Sequence, residues 1–133
     1  DGERDLQNYY SRLLHIARDE KAISEGDFFD LMYTNPHTEH FNPHRHYAFL
    51  RKHENELTLI VANFDERETQ ASVNIPTDAF NYFGLPTLES VKATELLTGE
   101  TLELPLSPNI PVHLTLPGWS GTIVKITLPK SEK

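Results

Sequence analysis

The sequence predicts a mainly β protein: an antiparallel β-sandwich of about seven or eight strands, led by one N-terminal amphipathic α-helix. Three observations predict it. Short apolar runs recur between turn-forming residues from Phe28 to Leu128. Several of these runs alternate apolar and polar residues with the period of two that a strand imposes. Strands do not alternate with helices along the chain, which argues against a parallel α/β sheet.

The helix is read over residues 4 to 22, where Leu6, Tyr9, Tyr10, Leu13, Leu14 and Ala17 follow helical spacing and Arg4, Gln7, Ser11, Arg12 and Arg18 lie mostly opposite. Gly26 stops it. Its apolar stripe needs a partner, either this domain's own sheet or a neighbouring domain. From Phe28 to Tyr33 a strand is expected, followed by a polar loop from Thr34 to Arg45. The stretch Tyr47 to Phe64 reads as a hairpin around the charged knot His53-Glu54-Asn55-Glu56. Its second strand is apolar on both faces: Leu57, Leu59 and Val61 point one way, Ile60, Ala62 and Phe64 the other. Such a strand is central and covered on both sides. One side is expected to meet a facing sheet; the other must meet something else, either the N-terminal helix folded back on it or a partner outside this chain.

Asp65 to Glu68 is a charged turn, and Thr69 to Ile75 a half-buried strand ended by Pro76. Thr77 or Asp78 is expected to cap a short helix carrying Phe80, Tyr82 and Phe83, closed by Gly84 and Pro86. Ser90 to Leu97 reads as a strand, Thr98-Gly99-Glu100 as a tight turn, and Thr101 to Leu104 as the next strand. Pro105, Pro108 and Pro111 mark a loop before strands at Val112 to Leu116 and Gly121 to Leu128, with Pro117-Gly118 turning between them.

The 133 residues suffice for one domain, with 38% apolar and 24% charged residues reading as a soluble globular chain. Twenty acids against twelve bases give a net charge of −8, with no basic cluster, so nucleic acid and anionic membrane are not expected as partners. No apolar run approaches the length of a membrane span. The absence of cysteine excludes disulfides and thiolate chemistry. No targeting segment is read in the chain, and no compartment is assigned. The only methionine is Met32, and the opening Asp1-Gly2-Glu3-Arg4 is neither a translation start nor a signal peptide, so a piece of a longer protein is expected.

Chemistry is sparse. His37, His40, His44 and His46 lie within ten residues and imidazole binds zinc, copper or nickel, but their spacing matches no metal motif. A solvated loop is the favoured reading, a metal-binding or interaction domain the alternative. No nucleophile motif or phosphate cradle is present, and no cofactor is expected. Trp119 and Tyr82 are candidates for stacking on a sugar ring, weighed against an aromatic plug closing the end of a sandwich.

Several phrases together carry a resemblance. Leu13-Leu14 with Arg18, Ala22 and Gly26, then Tyr47 to Arg51, Val61 to Phe64 and Leu97-Thr98-Gly99-Glu100 occur in an order that resembles the C-terminal end of α-amylase-family glycoside hydrolases. The histidine-rich loop looks like an insertion in that pattern. The resemblance implies that residues 1–25 are the last helix of an upstream catalytic (β/α)8 barrel and residues 26–133 a C-terminal antiparallel β-sandwich. It implies that the catalytic carboxylates lie upstream, so this chain is no enzyme by itself. The expected role is to pack against and stabilise the barrel of an enzyme acting on α-glucans. The alternative is a carbohydrate-binding module for starch or maltooligosaccharides. Exposed apolar surface on the helix or sheet is further expected to favour a homodimer.

Overall fold

The computed structural model describes residues 27–35, 41–42, 44–108, 110–116, 118 and 120–128. The helix expected over residues 4 to 22, the expected boundary at residue 25, and His37, His40 and Trp119 lie outside them. Eight strands and one α-helix are found among the described residues: β1 (Asp27–Asp30), β2 (His46–His53), β3 (Glu56–Asn63), β4 (Thr69–Val73), α1 (Thr77–Phe83), β5 (Leu88–Glu95), β6 (Thr101–Leu106), β7 (Val112–Leu116) and β8 (Ser120–Thr127). Every pairing is antiparallel. Six strands form one sheet in the order β1-β2-β3-β8-β5-β6, and β4 and β7 form a second. No helix among the described residues is long and apolar enough to cross a membrane.

The β2–β3 hairpin closes as read. His53 pairs with Glu56 across a two-residue loop, and Glu54 adopts φ 54°, the left-handed conformation such a loop demands. The Lys52 ammonium donates to the Glu54 carbonyl. Strand β3 is the third of six and is buried from Leu57 to Asn63, as its two apolar faces predict. Leu57, Leu59 and Val61 join Leu50, Val124 and Ile126 of the large sheet and Ala71, Val73, Val112, Leu114 and Leu116 of the small one in a single core. This is the sandwich interior, and in β4 and β7 it explains the strict alternation of buried and wet positions.

Four boundaries differ from expectation, each for a local reason. The first strand stops at Asp30 because its Oδ1 accepts the Met32 amide at 3.1 Å; the chain then turns through a 3-10 helix at Met32–Thr34. Helix α1 is capped by neither Thr77 nor Asp78. Its N-cap is Pro76, in extended backbone, while Asp78 lies in the first turn, where a carboxylate complements the helix dipole. At the other end Gly84 takes φ 66° with its amide on the Phe80 carbonyl. Strand β5 runs Leu88–Glu95, two residues earlier than read, because the Glu95 carboxylate draws the Leu97 and Thr98 amides into a turn at 2.9 Å each. Pro105 lies inside β6, not in the loop after it; β6 is an edge strand, where a missing N–H costs no ladder bond.

Gly118, between β7 and β8, is required by close approach. A Cβ there would stand 2.2 Å from the Glu66 carbonyl oxygen in the turn after β3.

Candidate functional site

Two surfaces and two polar clusters concentrate the residues able to bind or react. The first surface is the outer face of the large sheet. Registry places Phe28 beside Arg51, Phe49 beside Ile60, Tyr47 beside Ala62 and Ile60 beside Ile123 on the side opposite the core. Ile60, Ala62 and Ile123 are buried there although none belongs to the core cluster. Toward the β1 edge the face opens: Phe28 is 45% and Tyr47 39% exposed. The Phe28 and Phe49 rings lie 5.3 Å apart, Tyr47 and Phe49 5.6 Å, and the Arg51 guanidinium sits 5.9 Å from the Phe28 centroid. Arg51 Nε and the cross-strand Thr58 Oγ1 are buried without a hydrogen-bond partner. The face is therefore buried at its centre and exposed at its aromatic margin.

The second surface is a corner where the 3-10 turn meets α1. Phe29 and Phe83 pack on the core. Tyr33 and Tyr82 stand over them, each 60% exposed, with centroids 6.2 Å and 5.8 Å from that of Phe29. The Tyr33 hydroxyl donates to Asp78 Oδ2 at 3.4 Å. Desolvation, then the Asp78 carboxylate, raises the Tyr33 phenol's pKa, so it remains a donor at neutral pH. The corner is held by buried Asn35. Its Nδ2 donates to the Leu31 and Asn74 carbonyls at 2.8 and 3.0 Å, and its Oδ1 accepts the Asn74 amide at 2.7 Å. Tyr82 was legible as a stacking candidate in the sequence. Tyr33 was not, because the strand expected through it gave no sign that the chain turns there.

The histidines divide. His46 is buried, its Nδ1 accepting the Asn42 amide at 3.0 Å and its ring 5.4 Å from that of Phe41. Burial lowers its pKa, opposed by Asp65 and by a hydrogen bond with Asn63. His44 is exposed, with its backbone amide on Asn42 Oδ1. One histidine thus builds the loop's base while the other faces solvent, and no cluster of three metal-ligating side chains occurs among the described residues.

Two polar features were invisible in the sequence. Ser72 and His113 pair across β4 and β7 with Oγ and Nδ1 2.7 Å apart. The neighbouring Thr115 donates to Gln70 at 3.0 Å. These are rungs of a wet strand face, and among the described residues no carboxylate is bonded to His113 to orient it as a base. Glu95 is buried and accepts four hydrogen bonds, from the Leu97, Thr98 and Ile123 amides and the Thr122 hydroxyl, at 2.7–2.9 Å. It lines a cleft of about 260 Å³ with Glu100, Glu103 and His113. A carboxylate so fully used holds structure and has little capacity left for a ligand.

No protein-family model and no curated protein sequence matches the chain. Solved structures do. AmyP in complex with maltose is 14% identical over 98% of this chain and 22% of its own, with a TM-score of 0.58. A noncanonic maltogenic α-amylase, AmyB from Thermotoga neapolitana, is 14% identical over 84% of this chain and 23% of its own, at 0.57. Isomaltulose synthase from Erwinia rhapontici is 22% identical over 92% of this chain and 18% of its own, at 0.50. The chain thus spans about a fifth of the length of the solved proteins it matches. At these identities the likeness is one of fold: the chain has the architecture of a domain-sized part of α-amylase-family glycoside hydrolases.

Proposed function

We propose that this chain is the non-catalytic C-terminal β-sandwich of an α-amylase-family glycoside hydrolase acting on α-glucans, and that the exposed aromatic margin of its outer sheet face packs against and stabilises the catalytic barrel. The observation that carries this reading is the aromatic margin of the outer face. Phe28 is 45% and Tyr47 39% exposed, and both rings pack on Phe49 beside the buried Ile60, Ala62 and Ile123. An isolated sandwich has no use for aromatic side chains there; a docked domain does.

Fold likeness to part of the α-amylase-type chains supports the same reading.

Two measurements test it. The chain alone should release no reducing sugar from starch; turnover above background would overturn the accessory role. Joined to its barrel, the protein should lose thermal stability and activity together when Tyr47 and Phe28 are replaced by Glu, while the same changes leave the sandwich alone folded. Unchanged melting of the joined protein would remove the docking face.

A further inference from the structure

We propose that the corner formed by Phe29, Tyr33, Asp78 and Tyr82 binds a neutral α-glucan oligosaccharide. That it is an α-linked glucan rests on the function proposed above; that it is a neutral saccharide rests on the corner itself.

Three features set this place apart. First, the exposed rings are mounted on a rigid base. Phe29 and Phe83 are anchored in the core, and the turn carrying Tyr33 is fixed by three Asn35 hydrogen bonds. A preformed platform loses little conformational freedom on binding, and tyrosine has only two side-chain torsions to fix. Second, the two tyrosines present their area outward. Each is 60% exposed, and their rings stand at 57° and 44° to that of Phe29, 6.2 and 5.8 Å away, making an angled apolar surface against which the C–H face of a pyranose can lie. Third, the polar rim fits hydroxyl groups. Asp78 and the phenol oxygens accept hydrogen bonds, and the Tyr33 hydroxyl is already oriented by Asp78. Aromatic side chains with a few fixed polar groups are the usual lining of a small-molecule site.

Charge narrows the ligand. Asp30 and Asp78 are the ionised groups beside Tyr33, and the chain carries −8 overall. Phosphates, nucleic acid and acidic polysaccharides are repelled. Among uncharged ligands, one rich in hydroxyl donors and with apolar faces matches carboxylate acceptors set beside exposed rings.

The test is a heteronuclear NMR titration of the full chain with maltoheptaose and, separately, with cellohexaose. The expected result is saturable shifts centred on Tyr33 and Tyr82 with maltoheptaose. Tyr82→Ala should weaken binding at least ~5-fold, as loss of one aromatic stacking contact implies. Tyr82→Phe should hold it near the parent value. Should Tyr33→Ala unfold the turn, the exposed Tyr82 variants still decide the matter. Binding unaltered by Tyr82→Ala, or saturation by neither sugar, overturns the site while leaving the docking function standing. Saturation by cellohexaose in place of maltoheptaose overturns the α-glucan assignment and counts against the α-glucan enzyme reading as well.

Discussion

The two faces of the β3–β8 pair are equally apolar and are used differently. On the inner face Leu57, Leu59 and Val61 interlock with β4 and β7 in the one core of the sandwich. On the outer face Ile60, Ala62 and Ile123 are just as shielded from water, but they stand outside that core, next to orphaned polar atoms and an exposed aromatic margin. Burial alone therefore does not place a side chain in the sandwich core. What sets the outer face apart is its exposed margin at Phe28 and Tyr47.

The sharpest way to break this comparison is to cut equal volumes from each face. Leu59→Ala should lower the unfolding free energy of the chain by about 2–5 kcal/mol, because the packed sandwich cannot collapse into the hole. Urea denaturation measures it. Next comes the knot at the end of β5: Glu95→Ala strands three amides and a hydroxyl, and a loss of about 3 kcal/mol is expected from leaving buried donors unpaired. That would place the inner end of β5 with the core, whereas a loss within error would assign the knot to the surface. Gly118→Ala should cost about 1–3 kcal/mol, since its new methyl meets backbone rather than a movable side chain. Amide shifts confined to Glu66–Arg67 and the start of β8 would accompany it.

Ile60→Ala is the counterpart of Leu59→Ala and should cost less, near the low end of about 2–5 kcal/mol, because its half-buried cross-strand neighbour Phe49 can settle into the hole. Equal losses at Leu59 and Ile60 would erase the distinction between the faces. The smallest effect concerns pH. Burial holds the His46 pKa below its ordinary 6.5, so the unfolded chain takes up a proton that the folded one resists. This contribution to stability is fully present above pH 6.5 and declines as pH falls from there toward the folded pKa. His46→Gln should flatten that slope in thermal melts taken between neutral and mildly acidic pH, and an unchanged slope would assign it to another group.

Much of the framework was readable one strand at a time. Period-two alternation located β4, β7 and β8, and a run apolar on both faces located β3 at the sheet's centre. The errors were ones of punctuation. Asp30 and Glu95 end their strands with side-chain-to-backbone hydrogen bonds, and an acid at a strand end looks in sequence like any other solvated acid. Pro105 is admissible in β6 only because β6 lies on an edge, and edge position depends on strand order, which local pattern does not encode. The aromatic corner was half legible: Tyr82 was singled out as an aromatic in a short helix, whereas Tyr33 joins it from nearly fifty residues away in sequence.

The sequence by itself determined that this protein is antiparallel β, acidic, free of thiol chemistry and apolar on both sides of its central strand, because hydrophobic period and composition act within a few residues of one another. Only the tertiary structure decided which of those two apolar sides is core and which residues share a corner. Those outcomes depend on the sheet order and on the contact of the Met32–Thr34 turn with α1, and both arise from pairings between segments distant along the chain.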